Sequence, residues 1–408
     1  MRRRSRLAVI AASLAGCGSP VGSPSHLSGA LDGGADGASG EASGANGANG
    51  ANGANGANGA NGANGANGAN GMWIASDYSS SQVGAFALGG ELTATTGINL
   101  GADPALAVSR GRSFYIARDQ DVVFELDPAT GAPMKPFSVH QASHAGSSNP
   151  HGVAVASDGS LWVTLENVPS LLVLDPGGAV ERTIDLSPYD GDGNPNADAL
   201  AIVDTPAGEK AFVTLERLAD ADGLKSEQPS WMLRVDVATR TVETHVELAG
   251  RNPFAVAASE GALWLAEPGN FDTITETAAG VERFDTATST TALVARETEL
   301  GGSVAEVAVQ GGCAVAIVAD PTPANATSIV TFDPATGATI APSASSPLAT
   351  RGFDLQGLAW KDGALLVGDR RRLSAGYPVH AFDVDARCGL RERAPITLFL
   401  PLPPIALN

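Results

Sequence analysis

The sequence is poor in the residues that most often carry chemistry. Three cysteines and six histidines stand among 408 residues. That count excludes a disulfide-dense scaffold and a cysteine-rich zinc ribbon. Basic residues number 25 against 44 acidic ones, a formal net charge of −19. So acidic a surface repels phosphate backbones, which argues against nucleic acid as a partner. No apolar run approaches the length of a membrane-spanning helix, about 18 residues. There is no phosphate-cradling glycine loop, no Ser-His-Asp nucleophile elbow and no haem attachment motif.

What the chain has instead is glycine, 49 residues of it, and a repeated unit. Residues 149–185, NPHGVAVASDGSLWVTLENVPSLLVLDPGGAVERTID, show the unit most clearly. Residues 152–157 form an apolar run. Asp158-Gly159 is a two-residue hairpin signal that predicts a type I′ turn. Residues 160–165 and 170–174 make two further strands, and residues 180–185 alternate polar with apolar. The second-strand slot recurs as Trp73, Tyr115, Trp162, Phe212, Trp264, Ile317 and Leu366. The third strand ends in a turn at Ala87, Asp127, Asp175, Asp236, Asp285, Asp333 and Asp383, positions 40 to 61 residues apart. Such a period with four strands per unit predicts an all-β fold. The expectation is a seven-bladed β-propeller over residues 72–408, with four antiparallel strands per blade. The three tryptophans share one slot and are expected to pack between blades.

The unit Pro-x-x-Val-Ala-Val-x-x-Asp-Gly … Trp-Val … Val-Leu-Asp-Pro resembles the YVTN repeat of bacterial propellers. The resemblance implies the fold across residues 72–400 and says little about activity.

The first unit begins at its second strand, and the tail reads ITLFLPLPPIALN. Residues 396–400 fit the last unit's outer strand. Residues 404–408 fit the missing inner strand of the first blade, which buries both edges of the ring.

The N-terminus reads as an address. Residues 1–16 form a basic and then short apolar segment, which predicts a signal peptide. Leu14-Ala15-Gly16-Cys17 matches the bacterial lipobox, so Cys17 is expected to carry lipid and anchor the chain to a membrane. Gly18 after it, by resemblance to sorted lipoproteins, implies the outer membrane. Residues 17–71 have almost no apolar side chains and end in nine Ala-Asn-Gly triplets. They predict a disordered tether, about 40 Å end to end as a random coil. Cys313 and Cys388 then remain, on one face of neighbouring blades. They are either a disulfide or two idle thiols.

Strand parity sorts the loops. Short turns between strands 1–2 and 3–4 share one face. The 2–3 turns and the blade connections, longer and more polar, share the other. The 2–3 turns begin with Asp77, Asp119, Glu166, Glu216, Glu267, Asp320 and Asp369. These acids either form a ring that holds a cation or serve their own turns. On one blade connection Asp190, Asp192, Asn194, Asn196 and Asp198 alternate as oxygen ligands, a candidate calcium loop. Pro195 and Ala201 stand where an EF-hand needs Gly and Glu, so it is no EF-hand. On another, His140, His144 and His151 are candidate zinc ligands. The Arg370-Arg371-Arg372 run is either solvated or grips an anion. Around His151, PHGVAVASDGSLWVTLEN resembles a repeat of streptogramin-lyase propellers, which implies His151 and Glu166 as a metal-assisted pair. The later units lack matching histidines. Three functions therefore stand. The first is a binding or assembly module for a protein, peptide or small molecule, with calcium as a candidate stabiliser. The second is a metal-dependent lyase or hydrolase of the streptogramin-lyase or lactonase-like type. The third is a structural surface protein on a spacer.

Overall fold

The computed structural model describes residues 71–76, 81–86, 92–95, 104–219, 225–271, 274–322, 325–393 and 398–407. The leader, Cys17, the tether, Asp77 and the Ala87 turn slot lie outside the described residues.

The strands follow the repeat. The first group is β1 (Gly71–Ser76), β2 (Ser81–Phe86) and β3 (Leu92–Thr95). Next come β4 (Pro104–Ser109), β5 (Arg112–Ala117), β6 (Val122–Leu126) and β7 (Pro133–Ser138). Then β8 (Pro150–Val155), β9 (Leu161–Leu165), β10 (Ser170–Leu174) and β11 (Val180–Asp185). β12 (Ala197–Thr205), β13 (Gly208–Leu215), β14 (Trp231–Asp236) and β15 (Thr241–Glu247) form another sheet. β16 (Ala255–Ser259), β17 (Ala262–Glu267), β18 (Gly280–Asp285) and β19 (Thr290–Arg296) form the next, followed by one helical turn, α1 (Glu297–Leu300). β20 (Ser303–Gln310), β21 (Cys313–Asp320), β22 (Ala326–Phe332) and β23 (Thr339–Ala341) follow. The chain ends with β24 (Leu355–Lys361), β25 (Ala364–Asp369), β26 (Tyr377–Val384), β27 (Leu390–Glu392), β28 (Leu398–Leu400) and β29 (Pro404–Leu407).

Seven uniform four-stranded blades are not what the chain builds, and that expectation is corrected. Among the described residues six sheets have four strands, and the sheet founded on β24–β26 has five. Both β27 and β28 pair with β26, β27 along Phe382–Val384 and β28 along Tyr377–Val379. The outer edge of this sheet is thus made in two pieces.

The hairpin at Asp158-Gly159 also departs from expectation. Gly159 has φ +85°, but Asp158 is not left-handed. Asp158 accepts the Ser160 N–H at 2.9 Å, and Gly159 donates to Ala156 at 3.0 Å. This is a longer turn closed by a left-handed glycine, the next commonest hairpin connection. At Asp362-Gly363 both φ values are positive, 47° and 73°, as type I′ requires.

Burial explains the apolar runs. β8, β9 and β10 are buried along their whole length, whereas β11 is exposed at all but one residue. Inner strands are covered on both faces by neighbouring blades, so they need no polar alternation. Trp162 packs with Leu171 and Val173 against Leu200, Ile202 and Val213 of the next blade. Trp264 fills the same place further round.

The C-terminal strand closes the ring. β29 pairs antiparallel with β1, Trp73 opposite Leu407 and Ile74 opposite Ala406. Room for it comes from glycine. A Cβ at Gly368 would meet Pro404 at 3.0 Å, and one at Gly357 would meet Leu407 at 2.9 Å.

Cys313 and Cys388 form a disulfide, with Cα atoms 5.5 Å apart, that ties β21 to the turn before β27. It spans 75 residues. On the chain-entropy account a loop of that size contributes about 4 kcal/mol. Reduction, or replacement of both cysteines by alanine, is therefore expected to lower the denaturant midpoint markedly. A midpoint that does not move under reduction would refute this.

Among the described residues no helix is long and apolar enough to cross a membrane.

Candidate functional site

The site begins with a bulge. The β8–β9 register shifts between Pro150 and Val153, at His151 and Gly152. A bulge turns a side chain away from its regular direction. β12 has the same irregularity between Ala197 and Leu200, at Asp198. The two bulges meet because Gly152 has no side chain. A Cβ there would lie 2.7 Å from the Asp198 carbonyl and 2.8 Å from the Leu200 nitrogen. The pattern recurs on β20 before Glu306 and on β24 at Gln356. Glu306 accepts the Gly357 N–H at 2.8 Å, and burial pushes its pKa up to about 8.

His151 is held between two carboxylates. Its Nδ1 lies 2.5 Å from Asp198 Oδ1, and its Nε2 lies 2.9 Å from Glu166 Oε2. Glu166 follows β9, and its N–H donates to the Asn149 carbonyl at 2.9 Å. The Asn149 amide also donates to the Glu166 carboxylate. Glu216 stands at the matching place after β13, where its N–H donates to the Asn196 carbonyl at 3.1 Å. Its carboxyl hydrogen-bonds to Asp198. Arg118 completes the group from the turn after β5 and is fully buried.

The electrostatics follow from this packing. Burial and the Arg118 charge oppose protonation of His151. The Glu166 and Asp198 charges and the Asp198 hydrogen bond outweigh them and raise its pKa to about 9. Burial works against the Glu166 carboxylate as well, yet His151 and Arg118 hold its pKa below the usual range. Glu216 goes the other way: burial, then the charges on Asp198 and Glu166, push it well up. At neutral pH His151 is therefore an imidazolium beside the Glu166 carboxylate, while burial and the neighbouring charges bias Glu216 toward its neutral acid. Both nitrogens of an imidazolium are donors, so this His151 has no lone pair with which to take a proton.

The other expected ligands go to separate partners. Asp190 accepts from Gln228 at 3.1 Å and lies 3.7 Å from Arg217. Asp192 accepts the Asn194 N–H at 2.9 Å. Asn194 donates to the Glu166 carbonyl at 3.1 Å, and Asn196 accepts the Leu218 N–H at 3.0 Å. Asp198 turns to His151. The His140 ring bonds Asp121 at 2.8 Å, while the backbone N–H of His144 donates to the Gln141 carbonyl at 2.9 Å. Among the described residues no three His, Cys, Asp or Glu side chains form a group that could hold a metal ion.

The 2–3 turn acids divide in two. Asp320 caps its own turn through Thr322, and Asp369 accepts the Arg371 N–H and its guanidinium. Asp119 is exposed. Glu166, Glu216 and Glu267 point inward and are enclosed to different degrees, Glu267 completely. In the basic run, Arg370 reaches Gln356 at 2.8 Å and the Pro404 carbonyl at 3.2 Å. Sequence reading missed Arg118, since nothing in the Ala-Arg-Asp-Gln stretch distinguishes it. It also missed a second clamped histidine, His380, held by Glu392 at 2.6 Å and Asp369 at 3.1 Å.

No protein-family model matches the chain, and no curated protein matches it in sequence. Solved structures do. Streptogramin B lyase is 13% identical over 73% of this chain and 90% of that one, with a TM-score of 0.51. BamB from Moraxella catarrhalis is 15% identical over 82% and 84%, with a TM-score of 0.46. The computationally designed Ika8 protein is 14% identical over 83% and 87%, with a TM-score of 0.49. At such identities a likeness carries only the fold, and that fold is a β-propeller.

Proposed function

We propose that this chain is a lipid-anchored propeller of the bacterial envelope, tethered at Cys17 to the outer membrane. Its loop-rich face binds a protein, peptide or small-molecule partner without turning it over. The observation that supports binding over catalysis is the state of His151. Both of its nitrogens are engaged by carboxylates inside a closed cluster. A lyase or hydrolase built on His151 and Glu166 needs a neutral imidazole, either as base or as metal ligand. Among the described residues the donor set does not fit a metal.

Photo-crosslinking side chains placed at Glu227 and Arg372, both exposed on the loop-rich face, test the reading in cells that export the full chain. Adducts are expected there and not from Asp158 or Asp362 on the opposite face. Equal labelling of both faces, or none, overturns it. Metabolic fatty-acid labelling that disappears in Cys17→Ala tests the anchor. A stoichiometric transition metal in the purified protein would favour the enzyme instead.

A further inference from the structure

Glu267 and Glu282 lie on neighbouring strands, β17 and β18, and both are fully buried. Leu265 is opposite Glu282 in the ladder, so Glu267 falls on the same face of the sheet, one diagonal step away. Their carboxyls act on each other, and a proton on one of them would bond the pair. Apart from that contact neither oxygen of Glu267 has a partner. Glu282 also accepts the Gly250 N–H at 2.6 Å and the Ala249 N–H at 3.1 Å. Two N–H donors, one on each oxygen, favour the carboxylate form of Glu282. The partner carboxyl is then the acid that donates to it. Two backbone donors aimed at Glu282 also favour a proton between the carboxyls over a metal cation.

The pair sits under the connection from β15 to β16. A Cβ on Gly250 would lie 1.7 Å from Glu267 Oε2, so this backbone rests directly on the acid. The same connection fastens two long loops of the loop-rich face. Leu248 donates to the Ser230 carbonyl and Asn252 to the Ser230 hydroxyl, both at 2.9 Å. Asn252 also holds the Gly269 carbonyl at 2.7 Å. The two loops then bond each other, Ser226 N–H to Asn270 at 2.8 Å.

We propose that Glu267 and Glu282 share one proton that fastens the 249–252 connection, and that loss of this proton releases the loops at 225–230 and 268–271 together. The inference rests on the reading of that face as the binding face only for its biological use.

Burial and the neighbouring Glu282 raise the Glu267 pKa well above the ordinary value, and burial raises that of Glu282. Elements packed on this blade bring Glu306 on β20, Glu297 and Glu299 at α1, Arg296 at the end of β19, and Asp198 on β12. β16 brings no charged side chain. Among the described residues Glu282 is the titratable group that acts on Glu267. The sign is fixed: an acid raised by folding favours the fastened state at low pH and loses it as pH rises through the folded value.

Hydrogen exchange of the full chain between pH 6 and 9 reads this directly, with β8–β10 as the internal reference for the intrinsic rate. Protection at 249–252, 225–230 and 268–271 is expected to fall at least tenfold more than in the reference. Glu267→Gln, a neutral isostere of the acid, is expected to abolish the excess loss. Gly250→Ala, whose Cβ displaces the acid, is expected to show released loops already at pH 6. Loops that track the reference, a loss unchanged in Glu267→Gln, or full protection in Gly250→Ala each overturn the proposal. Exchange needs no partner, so its outcome is separate from that of the crosslinking.

Discussion

Ending the chain at Pro403 is expected to lower the melting temperature by roughly 10 °C or more. The removed strand buries Ile405, Ala406 and Leu407, each at most 2% exposed. Losing one large aliphatic side chain from a core costs about 2–5 kcal/mol, and two are lost here. The backbone loss adds to this, because β1 gives up one of its two ladders and becomes an edge. Removal of Asn408 alone is the control, and it should leave the melt in place. Ile405→Ala should fall between the two. If truncation at Pro403 melts with the intact chain, β29 does not close the ring.

Replacing His151 by leucine is expected to cost about 3–5 kcal/mol of unfolding free energy at pH 7. The variant leaves Asp198, which is fully buried, facing Glu166 with no imidazolium between them. Removing one partner of a buried ion pair is much worse than removing both, because the remaining charge stays out of water. Adding Asp198→Asn to His151→Leu should therefore recover part of the loss, a non-additivity that a simple cavity does not produce. Equilibrium denaturation of the two variants and the parent measures it. A loss below about 1 kcal/mol for His151→Leu would show that the clamp contributes little to stability.

The features legible in the sequence were those set by period. The tryptophan slot and the Asp-turns mark strands two and three of each unit, because a strand buried between blades tolerates few residue types. The tail was legible for the same reason: residues 404–407 are apolar where the first unit lacks a strand. The site was only half legible. His151 and Glu166 lie 15 residues apart in one unit and their approach is a hairpin contact. Asp198 looked like the end of an oxygen-rich loop. The strand begins at Ala197, however, and a bulge turns Asp198 inward, to a histidine 47 residues away. Bulges add a residue without a composition signal, so pattern reading cannot place what they redirect. The split edge at β27 and β28 was hidden likewise. The period counts strands, and an interrupted strand keeps the period.

The β1–β29 pairing also sets an order of events. Chains are made and exported from the N-terminus, and the earliest segments meet their partners first. β1 is the first strand described, yet one of its partners is the last. The ring thus has no closed state until β29 arrives, and every shorter length of chain carries an open edge. Closure is a terminal and long-range step, which topology makes slow. A chain cut short before β29 would fail as a whole ring rather than as a single blade.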